Sequence, residues 1–348
     1  MADQRPRADV PGMKLPPPRT PDPATAPPLR WGLLGAGWIA GEMADALEGT
    51  AQQVVAVGSR SRERAEDFVA RHAPNASAHG DYAELVADPE VDVVHVATPH
   101  SEHLEHALLA IRAGKHVLVE KPLAPTPEEA QQIADAAREA GVFCMEAMWT
   151  RFLPHVDVLR QVLEAGLLGG VSTVLADHGQ LLWPDGPQRL ADPDLAGGAM
   201  LDLGIYPLSF ASLVLGGITA ATGLGTLTDR GVDRRMAYAV QGPDGGVGAL
   251  STDMSALTPT TASVNGPWAR LELEADFYTP TTMHLVGADG VVLDTMTGDP
   301  MELHRGLRHE ATEVALRVTA GELESPVMPL AESVRIVQLM QELVSSLR

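Results

Sequence analysis

A lysine between a glutamate and a proline, Glu120-Lys121-Pro122, follows directly on the β-branched run His116 to Val119. That run reads as a strand, so Lys121 falls at a strand's carboxyl end, where open parallel sheets bind their ligands. Beside a cationic ring and out of water, a lysine either gives up its proton more readily or holds a substrate hydroxyl. Both serve the removal of hydride from a carbinol carbon. A second segment, Gly197-Gly-Ala-Met-Leu-Asp-Leu-Gly-Ile-Tyr206, puts Asp202 and Tyr206 four residues apart, on one face of a helix. The paired glycines leave room for a ligand at the helix start. A phenol near an ammonium becomes a better proton acceptor, because the charge depresses a pKa that is ordinarily about 10. Alone, each motif also suits a purely structural role. Together they predict a catalytic set in which Tyr206 accepts the hydroxyl proton, Lys121 stabilises the developing alkoxide and Asp202 orients the lysine or the substrate.

Such a set needs something to receive the hydride, and a segment upstream offers a place to hold it. Gly35-Ala36-Gly37-Trp38-Ile39-Ala40 is a G-x-G-x-x-A element between the apolar run Trp31 to Leu34 and a helix-period stretch, Trp38 to Leu47. Gly35 permits the tight turn, Gly37 lets the backbone approach a pyrophosphate and Ala40 lets helix and strand pack closely; the helix N-terminus attracts the phosphates. The acid that grips a ribose 2′-hydroxyl about 20 positions on is missing, and Ser59 and Arg60 stand there instead. A hydroxyl and a guanidinium suit a 2′-phosphate, so NADP is expected over NAD, with Arg62 and Arg64 as further cations at the next helix start. Thr98, Pro99, His100 and His103 follow the buried-looking strand Asp92 to Ala97 and are expected to touch the cofactor, as is Glu120; His106 is read as structural. No carboxylate or cysteine pattern accompanies the three histidines, and no metal site is expected.

The elements that position these residues alternate, strand then helix, from Arg30 to about Ala147, which predicts a parallel, right-handed β-α-β domain over residues 30–147. Beyond it, residues 148–348 are expected to form an α+β domain that supplies part of the substrate pocket. Runs at Arg234–Gln241, Val247–Asp253, Arg270–Glu274, Met283–Val286 and Gly290–Leu293, separated by turns such as Pro243-Asp-Gly-Gly246, predict a large, open, mainly antiparallel sheet. The C-terminal helix is expected to pack back on the first domain. Residues 1–29 hold nine of the 27 prolines and almost no large apolar side chains, which predicts a disordered, solvated extension. A formal charge of −21 makes nucleic acid and anionic lipid poor partners. No stretch approaches a membrane span in this reading, there is no apolar leader, and the one cysteine, Cys144, fits a reducing, cytoplasmic setting as a buried core residue.

Gly35–Ala40, Ala97-Thr-Pro-His-Ser-Glu-His103, Ala113–Pro122 and Gly197–Tyr206 together resemble the Gfo/Idh/MocA oxidoreductase family, from about residue 30 to the C-terminus. Glu146-Ala-Met-Trp-Thr-Arg-Phe-Leu-Pro154 and Tyr206 are similar to the branch containing dimeric dihydrodiol dehydrogenase and NADP-dependent D-xylose dehydrogenase. The resemblance implies that Lys121 and Tyr206 flank the nicotinamide, that Trp149 and Arg151 line the cofactor site, and that a homodimer forms through the outer face of the C-terminal sheet. It also implies a sugar, polyol or vicinal-diol substrate, for which His178, Trp183 and Tyr278 are candidate wall residues beside Lys121, Trp149, Asp202 and Tyr206. Three departures stand out: His100 where many members have asparagine, Tyr206 where many have histidine, and Asn265-Gly-Pro-Trp-Ala-Arg270 in place of a Gly-Thr-x-Gly-like turn. A non-catalytic NADP-binding sensor is the competing expectation; it has no use for Lys121, Asp202 and Tyr206 together.

Overall fold

The computed structural model of the chain describes residues 13–298 and 303–347. The first part runs β1 (Arg30–Leu34), α1 (Trp38–Leu47), β2 (Gln53–Gly58), α2 (Arg62–His72), β3 (Ser77–His79), α3 (Tyr82–Ala87), β4 (Val93–Val96), α4 (His103–Arg112), β5 (His116–Glu120), α5 (Pro127–Ala140) and β6 (Cys144–Ala147). Its six strands pair in parallel in the order β3-β2-β1-β4-β5-β6. Val93, Val94, Val117, Leu118 and Val119 are fully buried, as strands covered by helices on both faces must be. The strand order reverses between β1 and β4, so the carboxyl ends of those two strands open a crevice at Gly35–Gly37 and Ala97–His100.

The second part runs α6 (Pro154–Glu164), β7 (Thr173–Gly179), α7 (Ile205–Leu215), β8 (Ala220–Leu227), β9 (Asp233–Gln241), β10 (Val247–Asp253), β11 (Ala262–Asn265), β12 (Ala269–Leu273), β13 (Met283–Gly287), β14 (Val292–Met296), α8 (Leu307–Ala320) and α9 (Leu330–Ser345). Its strands form one eight-stranded sheet, β14-β13-β12-β11-β7-β10-β9-β8, antiparallel except where β7 and β10 meet. The Rossmann sheet and the large, mainly antiparallel sheet are thus as the sequence led us to expect. Strands β7, β8 and β11 were not anticipated, and the last strand lies at Val292–Met296 rather than Gly290–Leu293. Helix α7 covers one face of the big sheet at β7 and β10. On the other face Ala237, Ala239 and Ala249 stay exposed, alternating with the buried Met236, Tyr238, Val240 and Leu250. The stretch Pro193–Leu215, which ends in α7, is long and apolar enough to span a membrane, contrary to the sequence-based expectation; 83% of its apolar window is buried in the core.

Helix α9 packs on α5 and β6, and the Cys144 amide donates to the Leu323 carbonyl at 3.0 Å, covering the open edge of the first sheet. Burial pushes the Cys144 thiol up to about 12, which suits an inert core residue. The expected solvated extension needs correction where it is described. Residues 1–12 lie outside the described residues, but 13–29 form a strap across both parts. The Leu15 amide donates to Asp294 Oδ2 (3.0 Å), Arg19 meets Asp157 through its amide (2.6 Å) and guanidinium (3.0 Å), and Gln52 Nε2 donates to the Pro27 carbonyl (2.9 Å). A proline-rich, apolar-poor composition rules out a core of the segment's own. It does not prevent such a chain, already low in conformational entropy, from bonding to two domains that exist without it.

Candidate active site

Gly35 ends β1 with φ +113°, and a Cβ there would stand 2.7 Å from the Ala97 carbonyl oxygen, so only glycine fits. Gly37 is different: its φ of −97° is open to any residue, and the nearest protein atom to a Cβ would be 3.9 Å away. The space above it is unfilled by protein. Helix α1 starts there with no side-chain cap and no acid in its first turn, which leaves free N–H groups and the positive dipole end for an anion. These features fit a dinucleotide's diphosphate. Ala40 is fully buried, as close packing of α1 requires.

The cleft that begins at Gly37, Trp38 and Ile39 has a volume of about 400 Å³ and continues past Thr98, Pro99 and Glu120 to Lys121. There the two catalytic candidates meet. Lys121 Nζ donates to the Asp202 carbonyl at 2.8 Å, lies 3.5 Å from Asp202 Oδ1 and stands 5.0 Å from the centroid of the Tyr206 ring. Asp202 comes from the π-helical turn Met200–Gly204 that leads into α7, and its Oδ1 also accepts from Arg189 Nη2 at 3.1 Å. Burial pushes the Asp202 carboxyl up, but Lys121 and Arg189 outweigh it and hold the group below the usual carboxylate range. Tyr206 OH accepts from Trp149 Nε1 at 3.3 Å. The phenol is not depressed as the sequence suggested; burial pushes it up, because the ammonium sits over the ring face and not at the hydroxyl.

An aromatic wall completes the site. His178 and Tyr278 have centroids 4.5 Å apart, Tyr206 and Tyr278 4.6 Å. His178 Nδ1 lies 3.2 Å from the Leu203 carbonyl, so it carries the proton and leaves Nε2 as the acceptor of Gln180 Nε2 at 3.0 Å. Burial, with Lys121 nearby, pushes His178 down to about 4, and it stays neutral at ordinary pH.

Comparison with known proteins bears on this arrangement. The profile of the oxidoreductase family Gfo/Idh/MocA, NAD-binding Rossmann fold, matches residues 29–148, and its C-terminal domain profile matches residues 156–274. The chain belongs to the Gfo/Idh/MocA family. Trans-1,2-dihydrobenzene-1,2-diol dehydrogenase of Bos taurus is 36% identical over 328 residues, covering 90% of this chain and 95% of that one. The Danio rerio protein of the same name is 37% identical over 328 residues, with the same coverage. Among solved structures, KijD10, a 3-ketoreductase from Actinomadura kijaniata in complex with NADP and TDP-benzene, superposes with a TM-score of 0.78 at 27% identity, over 92% of this chain and 98% of that one.

Within this Gfo/Idh/MocA chain, several expected site residues lie elsewhere. Arg151 is buried and fully engaged, donating to Ser209 Oγ (2.9 Å), the Ser209 carbonyl (2.9 Å) and Glu332 (2.8 Å). It ties the 150s turn to α7 and α9 and does not reach the cleft. Trp183 packs with Leu182 against Ala199, Leu203, Val232 and Met254. His103, buried behind the cleft, has its ring nitrogens 2.8 Å from the Pro122 carbonyl and 3.0 Å from the Thr98 carbonyl and donates to one of them, whereas His100, pushed down to about 3 by burial, lines the cleft. His106 bonds Thr98 Oγ1 at 2.9 Å. Ser59 is buried at the end of β2; Arg60 is exposed, 3.6 Å from Glu102; the Arg64 amide caps on Ser61. None of the three lines the cleft. Gln180, Arg189, His304 and Leu307 do line it and were missed, since they come from segments with no motif or periodicity. Among the described residues, no group of three or more His, Cys, Asp or Glu is placed to hold a metal.

Proposed function

We propose that the protein is an NADP-dependent dehydrogenase that moves hydride between the nicotinamide and a carbinol carbon of a vicinal diol or sugar. The observation that carries this is the convergence of Lys121 Nζ, 5.0 Å from the Tyr206 ring, and the Tyr206 phenol in one cleft that starts at the glycine turn. The dinucleotide, when bound, supplies the hydride acceptor. Trp38 and Ile39 amides at the start of α1 are free for its diphosphate, and Ser59 and Arg60 at the end of β2 suit a 2′-phosphate. Lys121 stabilises negative charge on the substrate oxygen while Asp202 positions its ammonium. Tyr206 OH takes or gives the hydroxyl proton, its oxygen fixed by the Trp149 N–H. The Tyr206–Tyr278–His178 wall excludes water and accepts the apolar face of a cyclic diol. Relatives named as dehydrogenases of trans-dihydrodiols and a neighbour solved with NADP support this assignment over a non-catalytic sensor.

The exposed face of the eight-stranded sheet is where we place a homodimer contact, and the concavity on it, about 1120 Å³, is a curved sheet surface remote from the chemistry. The test of function is reduced-nicotinamide absorbance with a panel of trans-dihydrodiols and aldoses, each with NADP and with NAD. Reduction of NADP by a cyclic diol, with kcat/KM for NADP falling about tenfold or more in Arg60→Ala, is expected for loss of a charge-assisted bond. No reduction with any diol or sugar, or a clear preference for NAD, overturns the assignment.

A further inference from the structure

The turn His304–Gly306 closes one side of the cleft without belonging to any motif that located it. Gly306 is seated hard against the residues beside Tyr206: a Cβ on it would stand 2.8 Å from the Trp149 ring and 2.7 Å from a Leu153 methyl carbon. His304 reaches the first domain from this turn. Its Nδ1 lies 3.0 Å from Glu42 Oε2 on α1, and its ring meets Trp38 edge-on at 5.0 Å and Trp149 at 6.2 Å. Trp38 and Glu42 are four residues apart, so one face of α1, beginning at its free N–H groups, holds the imidazole by both a carboxylate contact and a ring edge. With Nδ1 committed to Glu42, Nε2 has no protein partner among the described residues, and its ring lines the cleft. Trp38 itself is 68% exposed, an unfilled apolar platform beside that nitrogen.

We infer that His304 is a second holder of the dinucleotide, its Nε2–H donating to the diphosphate from the substrate domain; this rests on the cofactor site proposed above. In the protonated ring both nitrogens donate, and a carboxylate on one with an anion on the other is the pairing an imidazolium favours.

The test is binding, read by calorimetry or quenching of Trp38 and Trp149 fluorescence, with three probes: NADPH, ADP-ribose 2′-phosphate, which keeps the diphosphate and lacks nicotinamide, and 2′-AMP, which lacks both. His304→Ala should weaken NADPH and ADP-ribose 2′-phosphate alike by about tenfold or more and leave 2′-AMP within about twofold, as loss of one charge-assisted bond implies. His304→Asn retains a donor for Glu42 without the far nitrogen and should show the same loss; unliganded melting curves establish that both variants fold. Wild-type affinity for ADP-ribose 2′-phosphate in either folded variant overturns the assignment, and so does a loss confined to NADPH, which places the contact on the nicotinamide. A wild-type chain that binds none of the three brings down the cofactor site itself, whereas equal binding by wild type and variants removes His304 alone.

Discussion

Lys121 has two partners that ask different things of it. Its ammonium is held by the carbonyl and carboxylate of Asp202, which fixes the charge in place, and it lies over the Tyr206 ring, which leaves the phenol oxygen to Trp149. Burial therefore decides the phenol: its pKa is pushed up, and at neutral pH the group is an acid ready to donate. Carbonyl reduction should then run well at neutral pH, while alcohol oxidation should accelerate as pH rises through the alkaline range. His178, pushed down to about 4, and His100, to about 3, do not titrate between pH 5 and 9, so no limb near the ordinary histidine value of about 6.5 is expected in kcat. Initial rates in both directions from pH 5.5 to 10 check this, and a limb near that value would implicate an imidazole as the acid–base group. Tyr206→Phe and Lys121→Met should each lower kcat by about 10²–10⁴-fold with the cofactor's Kd nearly unchanged. Wild-type turnover in both would remove the pair from the mechanism.

At the scale of elements, the turn that delivers Asp202 and Tyr206 is not capped by its own sequence but by a strand from across the domain. Asp233, the first residue of β9, accepts the Met200 amide on Oδ2 at 2.6 Å, and Gly198, at φ +121°, lies against its other oxygen. Burial pushes Asp233 up to about 6, against the backbone N–H bonds that pull it down. The sign follows: the folded state binds the proton more tightly than the unfolded chain, so this group's contribution to stability falls as pH rises from about 4 to about 6. Asp233→Asn, isosteric and uncharged, should gain on wild type across that window by up to about 3 kcal/mol on the usual conversion of pKa to free energy. Urea midpoints of both proteins at pH 4.5 and 7 measure it; a difference that does not grow with pH would show that the carboxylate is already well satisfied. Nothing in Val232-Asp233-Arg234 announces this role, because it depends on a contact 33 residues away in sequence. The glycine turn and Glu120-Lys121-Pro122 were legible because each sits where a strand ends, and a strand end can be read locally. Strand β7 carries Asp177 and His178, and β8 carries two glycines and is largely exposed, so neither shows the apolar alternation that marks a strand. Trp183 and Arg151 were misplaced because residue type suggested a pocket while packing and buried partners decided otherwise.

For the whole molecule, the sheet presents one face to α7 and the active site, and among the described residues the middle of the other face stays exposed. A chain of formal charge −21 repels its own copies, so association requires a patch where that charge is absent. The middle of the bare face is such a patch: Ala237 and Ala239 on β9, Ala249 and Ser251 on β10, flanked by Leu175 (47% exposed) and Leu224 (83% exposed). Asp177 on β7, in register with Ser251, is held by the Thr260 and Thr261 amides, and Glu272 and Glu274 are displaced toward the β12 side. Small side chains in register across antiparallel strands leave this curved surface open, and in the proposed dimer two such faces would meet about a twofold axis. A stable contact of this kind buries about 800 Å² per partner, which an eight-stranded face can supply. Ala239→Arg puts a bulky cation from each copy among the small side chains at the centre and should convert a dimer to a monomer by light scattering at micromolar concentration. Because the sheet itself lies between this face and α7, which carries Tyr206, the monomer should retain most of its kcat. A wild-type chain that elutes as a monomer, or an arginine variant that still dimerises, would mean that some other surface covers the sheet or that none does.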